Sequence, residues 1–160
     1  METSEQLSRR LLQAAIEDNL DEVKRLVEAG ADVNFMDEHR STPVGVSCDN
    51  LPRMRFLLEH RANPNVYDGG GQSAVSHAVC LGRIEIVKLM IEHGAHLDEP
   101  GNAILGTTLL MEALEHRQVE IMKLLLRHGA DPLQEDGDGW NLYRLAEVNG
   151  QSADLREAGL

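Results

Sequence analysis

Histidine recurs at one place in this 160-residue chain: His60, His93 and His128 each stand just ahead of a short phrase built on alanine. Three imidazoles in register suggest a metal ladder. Ligands on one zinc must come within about 2 Å of it, whereas equivalent packed helices lie roughly 8 to 10 Å apart. One ion does not join them, and an imidazole near a helix C-terminus, suited to the dipole when protonated, is the simpler use. His93 and His96 are close in sequence but straddle the helix end. Ser76-His77 supplies two members of a nucleophilic triad, yet no Gly-x-Ser-x-Gly elbow accompanies it, and His77, beside a core-facing Ala78, is expected to be a structural hydrogen-bonding residue. Gly69-Gly70-Gly71 lacks the Gly-Lys-Ser/Thr of a phosphate loop and is expected to be a turn. Cys48 and Cys80 lack zinc spacing and are too few for a disulfide framework; a redox pair on neighbouring helices is the alternative to ordinary reduced thiols. No catalytic residue, metal or cofactor is expected.

What positions these side chains is a repeat. Gly30-Ala31-Asp32, Arg61-Ala62-Asn63, Gly94-Ala95-His96 and Gly129-Ala130-Asp131 are one phrase written four times, its alanines stepping by 31, 33 and 35 residues. Ahead of each comes the same apolar rhythm: Val23, Leu26, Val27; Met54, Leu57, Leu58; Val87, Met90, Ile91; Met122, Leu125, Leu126. Steps of three and four place these on one helical face. An earlier helix in each unit opens at Thr42-Pro43, Ser73-Ala74, Thr108-Leu109 and Asn141-Leu142, where a side-chain oxygen can accept from free first-turn amides. Gly82 and Gly150 mark turns between the two helices of a unit, and Gly30, Gly94 and Gly129 sit where the second helix must end left-handed. Gly-rich stretches such as Asp68-Gly69-Gly70-Gly71 and Asp136-Gly137-Asp138-Gly139 join the units as projecting β-turns.

These phrases resemble the ankyrin repeat: Asp136-Gly137-Asp138-Gly139 is similar to its opening Asp-x-x-Gly, the segment from Asp37 closes on its Thr-Pro at Thr42-Pro43, and Glu85-Ile86-Val87-Lys88-Leu89 and Glu120-Ile121-Met122-Lys123-Leu124 are similar to its second helix. The resemblance covers residues about 7 to 158. It implies an all-α solenoid of stacked helix-turn-helix units with short β-turn fingers. One domain over 1–160 is expected, of about four and a half to five repeats at roughly 5–36, 37–67, 68–102, 103–135 and 136–160. Departures from the pattern carry expectations of their own. The second repeat is two residues short between Cys48 and Leu51, which predicts a clipped first helix or inter-helix turn, with Pro52 in the first turn of the next helix. Arg61 replaces the cap glycine at a cost on the order of 1 kcal/mol. Two extra residues between Asp98 and Ala103 predict an enlarged finger around Pro100-Gly101-Asn102. The last helix, near 152–157, is short and polar, as a solvent-facing cap should be. Asn34 and Asn65 resemble asparagines that are hydroxylated in some ankyrin proteins.

Composition bounds the partners. Apolar residues are 42% of the chain but aromatics only 3%, so the core must be Leu, Ile, Val, Met and Ala. A formal net charge of −12 repels phosphate backbones and anionic lipid, so neither nucleic acid nor membrane is an expected partner. The polar N-terminal stretch 1–10 has no signal-like apolar run and no segment reaches membrane-span length, which predicts a cytoplasmic protein, monomeric when unbound. In the ankyrin family, partner contacts gather on finger tips and the exposed side of first helices. Carried onto this chain, those places hold Glu17, Met36, Glu38, His39, Asp49, Tyr67, Gln72, Leu81, Ile104, Leu105, Glu115, His116, Asp138 and Trp140, without a Lys or Arg. Lys24, Arg25, Arg53, Arg55, Lys88, Lys123 and Arg127 fall on second helices, the expected outer layer. The resemblance thus implies a protein-binding module whose acidic concave groove takes a basic or apolar segment of a partner. The alternatives are an inhibitor or immunity protein blocking a positively charged enzyme or toxin site, and a scaffold bridging two partners.

Overall fold

Helix starts are set by side-chain oxygens. Thr3 accepts from the Gln6 amide at 3.2 Å while the Gln6 side chain accepts from the Thr3 amide at 2.9 Å, a reciprocal cap that opens α1 (Ser4–Ile16). Later units repeat the device with Ser73 capping α4 (Ala74–Cys80), Thr108 capping α6 (Leu109–Glu115) and Asn141 capping α8 (Leu142–Val148), at 3.1 to 3.2 Å. Second helices follow: α2 (Leu20–Glu28), α3 (Leu51–Glu59), α5 (Ile84–Glu92), α7 (Val119–Arg127) and α9 (Ser152–Ala158). The computed structural model describes residues 2–160, and the described chain is all-helical, with paired helices stacked unit on unit.

Stacking follows from the apolar rhythm. Val23, Leu26, Met54, Leu57, Val87, Met90, Met122 and Leu125 are wholly buried, and each second helix also packs against the next: α3 on α5, α5 on α7, α7 on α9. First helices do the same, α4 on α6 and α6 on α8. Each fully buried Leu or Met is worth roughly 1.5 to 3 kcal/mol, a gain that exists only because a neighbouring unit covers it. Polar ties add register. Asn34 accepts from the Asn63 amide (2.7 Å) and donates to Arg61 O (3.3 Å), and Asn65 does the same one unit on with the His96 amide (2.8 Å) and Gly94 O (3.0 Å). These two asparagines therefore stitch successive units together.

Left-handed residues end every second helix where the alanine phrase predicts: Gly30 (φ 94°), Arg61 (67°), Gly94 (84°) and Gly129 (93°). Between the helices of a unit, Gly82 and Gly150 have φ 68°, and the structure adds Asp18 (59°) and Arg117 (53°) at the same place, which composition alone does not flag because neither is glycine. The second unit has no such residue. Its first helix is reduced to a 3-10 turn, Gly45–Ser47, with Thr42 accepting from the Gly45 amide at 3.0 Å, and Pro52 lies in the first turn of α3. The two missing residues thus remove both the regular helix and its turn.

The fingers span 37–41, 68–72, 102–107 and 136–140. In three of them an Asp carboxylate accepts two amides across the tip: Asp37 from His39 and Ser41, Asp68 from Gly70 and Gln72, Asp136 from Asp138 and Trp140, all at 2.7 to 3.0 Å. Asn102 takes that role in the third finger, accepting from Ile104 (2.9 Å) and Leu105 (3.0 Å), and the loop closes from the Gly106 amide to Asn102 O one residue later than elsewhere. The enlarged finger is therefore real, with one of its two extra residues inside the loop and one ahead of it. Main-chain bonds from Ser73 N to Gly101 O (2.8 Å) and Ala103 N to Gly71 O (2.7 Å) tie it to its neighbour.

Arg61→Gly removes a Cβ from a left-handed position and is expected to raise the midpoint of urea denaturation by about 1 kcal/mol of stability; a lower midpoint would show that Arg61 rests there without strain.

Candidate protein-binding surface

First helices and fingers together form one face, and second helices form the other. Lys24, Arg25, Arg55, Lys88 and Arg127 are exposed on the second-helix side. Arg53 departs from this expectation. It is 3% exposed and turns inward, donating to Ser47 Oγ (2.7 Å) and Val46 O (2.8 Å) while pairing with Asp18 and, at 3.8 Å, with Asp49. In the clipped second unit the guanidinium, with five donors in a planar fork, satisfies the Val46 carbonyl and adds a donor to Ser47 Oγ, which itself donates to Pro43 O at 2.6 Å.

The acids of the front face differ in how they are held. Glu38 is exposed at the first fingertip with Arg9 3.7 Å away, Asp49 faces Arg53, and Glu17 accepts from Gln13 Nε2 at 2.7 Å. Glu115 and Asp138 are exposed and belong to no ion pair among the described residues. His39 is exposed beside Glu38, and His116 is exposed with Nδ1 3.0 Å from Glu112 O at the end of α6. Cations do reach this face: Arg9 lies 5.6 Å from the Phe35 ring, Arg40 stands exposed in the first finger, and Arg144 lies 4.4 Å from the Trp140 ring.

The apolar candidates divide in the same way. Ile104 and Leu105, 72% and 62% exposed, ride on the enlarged finger, and Leu81 and Met36 are also exposed. Tyr67 and Trp140 are half-buried. Tyr67 donates its hydroxyl to Pro100 O at 2.9 Å, and Trp140 packs against the core under Arg144, so both help hold the fingers in place. Gln72, also half-buried, donates to Ser76 Oγ at 3.0 Å.

The residues with chemical potential are engaged elsewhere. The Nδ1 atoms of His60, His93 and His128 sit 2.8 to 2.9 Å from the carbonyls four residues back, which serves the helix ends. His77 directs Nε2 to Asp68 Oδ2 at 2.9 Å, away from Ser76, and so fastens a first helix to its own finger. Burial opposes ionisation of Asp68, but this imidazole and the Gln72 and Gly70 amides outweigh it and hold the carboxyl below its ordinary value. Burial pushes the Cys48 thiol up to about 12 and raises that of Cys80, which leaves both poor nucleophiles at neutral pH. Among the described residues no group of three or more His, Cys, Asp or Glu is placed to hold a metal, and no helix is long and apolar enough to cross a membrane.

One buried acid was not anticipated. Glu112 on α6 is 5% exposed between the third and fourth units, accepting from Ser76 Oγ and from Thr107 Oγ1 (3.1 Å). A Cβ at Gly101 would come within 2.7 Å of both carboxylate oxygens, so any side chain there would force the Glu112 carboxylate to shift. The sequence marks Glu112 only as a charged residue inside the otherwise apolar run 109–114.

Comparison with known proteins places this geometry. The chain matches the family described as Ankyrin repeats (3 copies) over residues 11–101 and, overlapping, 47–136. A putative ankyrin repeat protein of Rickettsia felis is 30% identical over 124 residues, 74% of this chain and 40% of that protein. The Gallus gallus Arf-GAP with coiled-coil, ANK repeat and PH domain-containing protein 2 is 35% identical over 86 residues, 51% of this chain and 11% of its own length. Human ankyrin repeat domain-containing protein 63 is 28% identical over 100 residues, 59% of this chain and 26% of that one. The chain thus spans less than half the length of each of these relatives.

Burial raises the pKa of Glu112 against the Ser76 and Thr107 hydrogen bonds that favour its charged form. The folded chain then holds this proton more tightly than the unfolded chain, so the associated stability is present below the unfolded value of about 4.3 and is lost as pH rises through the folded one. Glu112→Gln is therefore expected to be more stable than the parent at neutral pH, with the two curves converging near about pH 4. Urea denaturation across that range checks the sign; a glutamine variant weaker at neutral pH would mean that the hydrogen bonds outweigh burial.

Proposed function

Because the chain belongs to the ankyrin-repeat family, whose repeats serve protein–protein interaction and are typically non-catalytic, we propose that its fingers and first helices form an acidic groove that binds a basic, apolar-dotted segment of a partner protein. The observation that carries this reading is the pair Ile104 and Leu105. Two large aliphatic side chains stand mostly in water on a loop whose amides are pinned by Asn102, so their exposure is built in. The following finger, which carries Asp138, packs so near that a Cβ on Gly106 would meet the Gly137 amide nitrogen at 2.7 Å. Apolar anchors beside unpaired carboxylates match a segment in which Leu-like or aromatic residues alternate with Lys or Arg.

The division of labour follows from the physics of association. A net charge of −12 draws a cationic segment toward the protein and raises the encounter rate, while desolvated apolar anchors set how long the complex lasts. The cations on the second helices lie on the opposite side of each helix pair, where they do not neutralise Glu115 or Asp138.

Paired Glu38→Lys and Asp138→Lys changes are expected to weaken a Lys- and Leu-containing peptide by about tenfold or more, mainly through a slower on-rate with a shallower salt dependence. Ile104→Ser with Leu105→Ser is expected to act mainly on the off-rate, and Arg55→Glu on the opposite face is expected to leave binding unchanged. Stopped-flow fluorescence separates the rates. Equal damage from the Arg55 change would put the contact surface on the wrong face.

A further inference from the structure

The shortened second unit leaves a hole in the front face. A cavity of about 240 Å³ opens between the 37–41 finger, the 3-10 turn and α4, with Gly45, Val46, Val66 and Ala74 supplying an apolar lining and Arg40 and His77 polar walls. Its origin is legible in register. Three residues past the capping oxygen, Thr42 is followed by Gly45, whereas Ser73, Thr108 and Asn141 are followed by Ser76, Met111 and Arg144. One interface along, Ser76 and Glu112 meet by hydrogen bond and occupy the corresponding space. At Gly45 there is no side chain to do so.

Arg40 is the second, independent observation. It adopts φ 63° at the fingertip position where the other three fingers place Gly71 (76°), Gly106 (73°) and Gly139 (76°). Asp18, Arg61 and Arg117 adopt the same region, and what sets Arg40 apart is that it alone of the four lines the cavity. Arg40 is in no ion pair among the described residues, a state it shares with Arg55, Arg61, Arg83, Arg117, Arg127, Arg144 and Arg156, and of these it is the one that lines the cavity. Elsewhere the chain sets arginine against aromatic rings, Arg9 on Phe35 and Arg144 on Trp140.

We infer that this cavity is a socket for one aromatic side chain of the bound partner segment, with the Arg40 guanidinium lying against the ring. The inference rests on the groove reading and names its anchor. The volume lies below the roughly 300 to 1,000 Å³ of small-molecule sites and suits a single side chain. The apolar lining takes the ring, and an unpaired guanidinium in the wall favours a π face over an aliphatic chain. Glu38, exposed in the same finger, supplies a negative flank for a Lys or Arg residue beside the aromatic one.

The test is nitrogen-resolved NMR titration of the full chain with p-cresol, the tyrosine side chain as a free molecule, and with isopentanol as an aliphatic comparison. Saturable shifts are expected at the amides of Gly45, Val46, Val66 and Ala74, with a dissociation constant on the order of 10 mM or tighter, and isopentanol is expected to bind more weakly. Val46→Trp fills the socket and abolishes the shifts. Arg40→Gly relaxes the backbone, raising Tm, yet weakens p-cresol by about threefold or more; this variant cannot be dismissed as misfolded. Shifts that do not saturate or centre elsewhere, isopentanol binding as tightly as p-cresol, or an Arg40→Gly variant that binds p-cresol as well as the parent, overturn the socket. The Lys- and Leu-containing peptide without aromatics, titrated into the same samples, reports the groove separately: its failure with p-cresol retained sinks the groove reading and leaves the socket, and the converse sinks the socket alone.

Discussion

A helix pair of some thirty residues has more apolar surface than it can cover by itself. Val87 and Met90 on α5, or Met122 and Leu125 on α7, reach full burial only between the helix that precedes them and the one that follows. The structure depends on this neighbour-supplied burial, in which truncating one buried Leu or Met to Ala costs about 2 to 5 kcal/mol. Stability is therefore a sum over units and interfaces, and whatever preserves the stacking pitch is tolerated even when it breaks local pattern.

That tolerance explains where the chain is individual. The second unit lost a helical turn but kept Met54 and Leu57 in place, and the buried Arg53 donates there to the Val46 carbonyl and Ser47 Oγ. The fourth unit gained a residue in its finger, which Asn102 organises in the way that aspartate does elsewhere. It also buries Glu112, whose position is inherited from the same stacking and whose charge the surroundings disfavour. Variation in length is confined to fingers and first helices, the face proposed for binding, while the second helices α2, α3, α5 and α7 keep their apolar rhythm.

The histidines show how a repeat misleads when read as chemistry. Residues equivalent by repeat are parallel and separated by a helix diameter, so a recurring His, Cys or Asp seldom meets its counterparts. Each finds a local partner instead: His60, His93 and His128 the carbonyl one turn back, Asp68 the imidazole of His77, Cys48 the carbonyls of Gly45 and Ala74.

By itself the sequence determined the family, the helix pairs, the caps at Ser73, Thr108 and Asn141, the left-handed Arg61 and the irregularity of the second unit, because spacing, capping chemistry and backbone sterics act within a few residues or repeat at a constant interval. It also placed Ile104 and Leu105 on a protruding finger. Only the tertiary structure decided that Arg53 turns inward, that Tyr67 and Trp140 brace the fingers, that Glu112 is buried and that Gly45 faces a cavity. Each of these depends on which side chains of the adjacent unit occupy a shared space, and that is a volume and hydrogen-bond question settled between units some thirty residues apart, where a one-dimensional pattern carries no signal.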